Sequence, residues 1–208
     1  MFGTQHYAMF LLSGILLNIT PGQDTLYIVG RSIAQGRRAG LLSVLGISSG
    51  AVIHTLAAAF GLSAILTTSA AAFTVIKFAG AAYLVYLGIR MWVERSVSPE
   101  YPGKFTPNHS WGIYRAGVFT NLLNPKVALF YFAFLPQFVD PLADSKLVMF
   151  LFLGASFLTT GTIWCVILAL GAFAIGSRLR ASKSASTGIR RATGALFVGL
   201  GVRLAVTK

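Results

Sequence analysis

The sequence predicts an all-α integral membrane protein: six transmembrane helices in a 3+3 inverted repeat, with helices 1 and 4 broken at prolines. Three observations predict it. Of the 208 residues, 55% are hydrophobic and 11% charged, whereas a soluble domain carries about a quarter charged residues. Apolar stretches approach or exceed the roughly 20 residues that cross a bilayer, at 5–29, 40–66, 70–93, 115–139, 146–176 and 189–206. Finally, basic residues gather in alternate loops, which is the positive-inside pattern of a multi-pass protein.

The first span, 5–29, follows a segment from Met1 to His6 without Lys or Arg. It therefore lacks the basic region of a cleavable signal peptide and is expected to stay attached. Arg31, Arg37 and Arg38 close it. The second span, 40–66, carries Gly46-Ile47-Ser48-Ser49-Gly50, a GxxxG pattern that lets helix backbones approach closely. Packing within the chain is its ordinary use, though such faces also permit a homodimer. The third span, 70–93, ends at Arg90 and Arg95. A linker with Pro99, Pro102 and Pro107 then divides the chain into a first three-helix repeat at 1–95, a cytoplasmic linker at 96–114 and a second repeat at 115–208. The fourth span, 115–139, and the fifth, 146–176, are long and clear. The sixth, 189–206, has a short uncharged run from Ala192 to Val202 and needs Arg203 to snorkel outward. Five spans with a peripheral tail is the alternative.

The loops after the first, third and fifth spans hold twelve of the seventeen basic residues, and the opposite side holds Lys146, Arg203 and Lys208. This charge bias places both termini outside a bacterial inner membrane. The net charge of +12 is thereby explained without nucleic acid, whose ligands need a continuous basic stripe. Cys165 is the sole cysteine, so an intrachain disulfide and a cysteine-based zinc site are excluded, and it reads as a small buried hydrophobe.

The halves resemble each other. Leu87-Gly88-Ile89-Arg90 matches Leu200-Gly201-Val202-Arg203, and both broken spans place a polar residue before proline, Thr20-Pro21 and Asn124-Pro125. An asparagine precedes each break, at Asn18 and Asn121. Proline removes a backbone donor and clashes with the preceding turn, so the helix opens there. Open backbone at membrane depth survives only where protein or water satisfies it. Paired breaks in corresponding helices point to the solute site of a secondary transporter.

Four ionisable residues, Asp24, His54, Lys77 and Lys126, fall inside spans. Helical rise puts Asp24 about 10 Å and Lys126 roughly 16 Å from the cytoplasmic basic clusters, with His54 and Lys77 on the order of 20 Å away. A charge near mid-membrane costs at least about 2.5–3.5 kcal/mol, so these groups either pair (Asp24 with Lys77 or Lys126) or line a cavity that binds solute and relays protons. The cavity reading is preferred for Asp24 and Lys126. His54 alone reads as a neutral histidine bonded between helices, and its titration near neutral pH makes it a candidate relay. Free N–H groups and carbonyls at the breaks, with Asp24 and the lysines, suit a small zwitterion.

Thr20-Pro21-Gly22-Gln23-Asp24, Gly36-Arg37-Arg38-Ala39-Gly40-Leu41, Lys77-Phe78-Ala79-Gly80 and Asn121-Leu122-Leu123-Asn124-Pro125-Lys126 through Phe134-Leu135-Pro136-Gln137 together carry a resemblance over nearly the whole chain. The chain resembles the LysE/RhtB family of amino acid exporters. That resemblance implies a six-helix carrier of amino acids or derivatives such as homoserine, threonine, lysine or homoserine lactone, driven by the proton gradient. Where the family usually carries a second proline after the glycine, Gln23 stands here. This leaves two expectations: a milder break, or an amide contributed to the site.

The expected roles follow. Pro21, Gly22, Asn124 and Pro125 open the backbone. Asp24 binds ammonium or protons, Lys77 and Lys126 bind carboxylate or couple to Asp24, and His54 relays. No cofactor, metal or catalytic residue is expected, since neither HExxH nor GxSxG occurs. The rival readings are a divalent-metal exporter, which needs clustered His, Asp or Glu ligands, and a membrane assembly protein that binds without flux.

Overall fold

A computed structural model describes residues 6–62, 109–140 and 145–181, with scattered helical positions between 74 and 93 and between 191 and 206. The described residues are all-helical: α1 (Tyr7–Ile19), α2 (Gln23–Ala57) continued by a π turn (Ala58–Leu62), α3 (Ser110–Leu122), α4 (Pro125–Leu129) continued by a π turn (Phe130–Phe134) and a 3-10 turn (Leu135–Phe138), and α5 (Lys146–Ala181).

The trace from Gln23 to Leu62 is 40 residues long and, if straight, would measure about 60 Å, twice the hydrocarbon thickness. It is not straight. Gly36 sits at φ 82°, ψ 176°, a conformation glycine adopts without a Cβ penalty. Beyond it the chain turns back, because a Cβ built on Gly40 would run into the Ser32 side chain, which in one continuous helix lies about 12 Å away. α2 is thus two arms, 23–35 and 37–57, joined at Gly36. The first span therefore runs past the expected boundary at 29. Arg31 does not end it, because its guanidinium lies 5.5 Å from the Tyr27 ring centroid and bonds Gln35 Oε1 at 3.3 Å.

Both expected breaks occur. Between α1 and α2, Thr20 (φ −63°, ψ 120°) and Gly22 (φ −152°, ψ −168°) are extended, so Gln23 in place of a second proline does not close the gap. α3 and the helical stretch Pro125–Phe138 meet at 49°. Asn124 caps α4 by accepting from Lys126 N at 3.1 Å, with Pro125 as the first helical residue, where its missing donor is harmless to α4.

Two apolar clusters hold the described helices together. Phe10 of α1, Phe130 and Phe134 of the α4 stretch, and Phe150 and Phe157 of α5 form the first, with the Phe130 and Phe157 rings stacked at 3.9 Å. Ala81 belongs to the same cluster. The second joins the arms of α2 (Ile28, Val29, Val44, Ile47) to Leu168, Ala169 and Ala172 of α5, with Cys165 against it. The surface is apolar where a soluble protein's would be polar: Leu45, Leu56 and Phe60 on α2 and its π turn, and Ile163 and Ile167 on α5, are exposed, while Ser43, His54, Thr55, Asn121 and Asn124 are buried. Polar side chains inside and apolar ones outside suit lipid as the solvent.

The GxxxG of the second arm is used within the chain. A Cβ on Gly46 would meet Tyr114 O, and would lie 3.0 Å from Gly117 Cα, so α2 and α3 cross in backbone contact. Of the third and sixth expected spans, the scattered described positions are helical, and Trp92 Nε1 donates to Arg191 O at 2.8 Å. Lys77 lies outside the described residues.

Candidate functional site

The site is built from what the two prolines remove. In a continuous helix residue 21 would donate to the carbonyl of residue 17, and residue 125 to that of residue 121. Pro21 and Pro125 have no N–H. Leu17 O instead accepts from Lys126 Nζ at 3.2 Å, and Asn121 O lies 3.4 Å from His54 Nε2. The carbonyl that Pro21 orphans is thus met by a basic side chain from another helix, whereas Asn121 O, facing His54, also accepts from Asn124 N at 3.0 Å.

Lys126 also donates to Thr20 O at 2.9 Å. Its backbone lies in the first turn of α4, the positive end of that helix, but its ammonium reaches the negative end of α1, where a cation is favoured. Gly22 leaves it room, since a Cβ there would lie 3.1 Å from Nζ. Asp24 is in the first turn of α2, also a favourable end for its charge. Its Oδ2 accepts from Asn121 Nδ2 at 2.8 Å. Among the described residues no ion pair joins Asp24 to Lys126; Asn121 holds the acid and α1 holds the base.

Asn121 therefore links three groups, with its amide on Asp24 and its carbonyl facing His54. The His54 ring stacks on Tyr131 at 5.6 Å and 14°, which fixes its plane. Thr55 Oγ1 lies 2.9 Å from Ala51 O and 2.9 Å from Tyr131 Oη. Thr55→Val strands the buried Tyr131 hydroxyl, a loss of about 1–3 kcal/mol. The unfolding midpoint in detergent should fall by a few degrees, and adding Tyr131→Phe should make the double variant less damaged than the sum of the singles.

A cavity of about 50 Å³, room for a few water molecules, lies where the two apolar clusters meet. Leu17, Val127 and Phe157 line it from the first cluster and Ile47 from the second. Asn18, Asp24, Asn121 and Lys126 line it from the breaks. Two buried acceptors of these residues, Asp24 Oδ1 and Asn121 Oδ1, have no partner, and neither does the donor Asn124 Nδ2. Buried unpartnered polar atoms are few in folded proteins and call for an explanation.

Of the expected residues, the structure thus brings Asp24, Asn121, Lys126 and Asn18 to one cavity and sets His54 behind Asn121. Asn18 bonds Thr160 Oγ1 at 3.2 Å. Thr20 is buried with its hydroxyl on Leu16 O at 2.7 Å, so its contribution to the site is its carbonyl. Pro21, Gln23 and Pro125 are exposed, and Gln23 does not line the cavity. Sequence reasoning missed Thr25, Ser48 and Thr162, which also line it, with Ser48 Oγ and Thr162 Oγ1 at 2.9 Å. Thr159-Thr160-Gly161-Thr162 in mid-span is the sequence signal that marks the α5 side.

The family model described as LysE type translocator matches residues 15–208. The chain belongs to the LysE type translocator family. It is thus a member of a transporter family rather than an enzyme. It is 33% identical over 205 residues, 96% of each chain, to an uncharacterized membrane protein of Vibrio cholerae. It is also 31% identical to the homoserine/homoserine lactone efflux protein of Salmonella typhimurium, over 94% of each chain. A third relative, the leucine efflux protein of Salmonella choleraesuis, is 29% identical over 98% of this chain and 96% of its own. No solved structure matches this LysE translocator.

Proposed function

We propose that this translocator exports amino acids or close derivatives across the bacterial inner membrane, coupled to protons and working by alternating access. Homoserine, its lactone and leucine, the solutes named for its relatives, share a primary ammonium group, and the lactone has no carboxylate. The common requirement is therefore a set of acceptors for N–H donors. The observation that carries the reading is the pair of buried, unpartnered acceptors Asp24 Oδ1 and Asn121 Oδ1, on two residues that line one cavity. An ammonium group entering there gains hydrogen bonds to both.

A carboxylate, where the solute has one, goes to Lys126. An ammonium has three N–H donors, and α1 takes two of them, leaving the third for the cavity. Proton exchange takes place on Asp24, with His54, on the other side of Asn121, as a second titratable group that relays protons. The cavity widens to take a solute, and the two broken spans, as corresponding members of an inverted repeat of three plus three helices with both termini outside, rock against each other. Lys77, outside the described residues, is proposed to bind carboxylate or to couple to Asp24.

The divalent-metal reading has less support: among the described residues no three His, Cys, Asp or Glu side chains converge. Counterflow with purified, reconstituted protein tests the proposal against a panel of radiolabelled homoserine, homoserine lactone, leucine, threonine and lysine. Uptake of at least one against its unlabelled counterpart is expected. Binding without flux for the whole panel would favour an assembly role, and stimulation by divalent cations alone would favour the metal exporter.

A further inference from the structure

α1 ends in an arrangement that has its own ligand chemistry. Pro21 orphans Leu17 O, and the extended residues after Ile19 leave Thr20 O outside the helix. These two carbonyls, at the negative end of α1, converge on one point, 3.2 and 2.9 Å from Lys126 Nζ. Gly22 closes over it with no side chain, a missing Cβ that would lie 3.1 Å from the ammonium. Carbonyl oxygens at a broken helix end are ligands for small cations, and hard cations take oxygen ligands in general. The second break differs: there a single carbonyl, Asn121 O, faces an imidazole nitrogen at 3.4 Å.

We propose that the break in α1 is a monovalent-cation seat, formed by Leu17 O and Thr20 O over Gly22, which the chain fills with its own Lys126 ammonium. The tethered cation takes the place that a free sodium ion or alkylammonium would otherwise occupy, so the break is held closed without a dissociable ion. This holds whatever solute is carried, and it leaves Asp24 Oδ1 and Asn121 Oδ1 as the acceptors still open.

Removing the side chain empties the seat and exposes it to added ligand. Purified Lys126→Ala is compared with wild type in detergent, in methylammonium chloride or sodium chloride against choline chloride at equal ionic strength. The variant should unfold at a lower temperature than wild type. One of the two small cations should raise its midpoint by roughly 2–4 °C, while wild type, with the seat filled, should not respond. No cation response in the variant, or the same response in both proteins, overturns the proposal. Gly22→Ala, which keeps every charge, covers the case in which Lys126→Ala does not fold. Its methyl crowds the seat, so reductive methylation of Lys126, read by mass spectrometry against the other lysines of the same sample, should rise several-fold over wild type. Unchanged labelling overturns the proposal. Neither readout involves transport, so a failed seat and a failed export reading are told apart.

Discussion

Replacing Asp24 by asparagine is expected to lower counterflow roughly 10- to 100-fold, because hydrogen bonds to charged groups contribute about 1.5–3 kcal/mol and 1.4 kcal/mol is tenfold. The substitution keeps the shape of the side chain. Its amide oxygen can still accept from Asn121 Nδ2, which now meets Asp24 Oδ2 at 2.8 Å, so α2 and α3 stay joined. The amide nitrogen then takes the place of Oδ1, the buried atom without a partner. An acceptor with a full charge becomes a neutral donor where the proposed ammonium contact would form. Affinity and proton exchange should be lost together while the unfolding midpoint changes little. Measured in proteoliposomes, efflux driven by a pH gradient that is unchanged in Asp24→Asn would sink the role of this residue. Asp24→Glu, which restores the charge at a longer reach, should recover part of the rate.

Gly46→Ala is expected to produce the largest loss of stability from a single methyl group. Its Cβ would meet Tyr114 O and lie 3.0 Å from both Gly117 Cα and Val118 N. Those are backbone atoms, so no rotamer change relieves the clash and the helices must separate. Overpacking of this kind costs about 1–3 kcal/mol or more, which lowers the unfolding midpoint by roughly 2–12 °C at this chain length. The separation would also carry Asn121 away from Asp24, since α3 holds both the crossing and the amide. Gly61→Ala is the internal control, for a Cβ there meets nothing within 4 Å. Equal midpoints for the two variants in detergent would contradict the close crossing.

Much of this arrangement can be read along the chain. Proline chemistry is local, so Pro21 and Pro125 mark both breaks without any knowledge of the fold. The energetic penalty on charges at membrane depth singles out Asp24, His54, Lys126 and Lys77, the last outside the described residues, and a GxxxG pattern foretells a close crossing at Gly46. What cannot be read is which atom meets which. Charge alone leaves Asp24 either pairing with Lys126 or lining a cavity; in the structure the acid bonds an asparagine and the base bonds two carbonyls. Helix direction decides this: the ammonium starts at the positive end of α4 and finds a better field at the negative end of α1. A reversal between the spans 5–29 and 40–66 is expected from the sequence, but its place at Gly36 is not, because Arg31 looks like a helix end until the Tyr27 ring is seen beneath it.

Local covalent chemistry and solvent preference are properties of residues one at a time, so the amino-acid order suffices for the membrane class, the broken helices and the identities of the costly charges. Hydrogen-bond partnership is a property of pairs distant in sequence, 109 residues for Lys126 and Leu17 and 97 for Asn121 and Asp24. Only the packing of helices against one another selects among the donors and acceptors that the breaks set free. That packing matched the carbonyl orphaned by Pro21 with Lys126, set His54 against Asn121 O, and left Asp24 Oδ1 and Asn121 Oδ1 without partners.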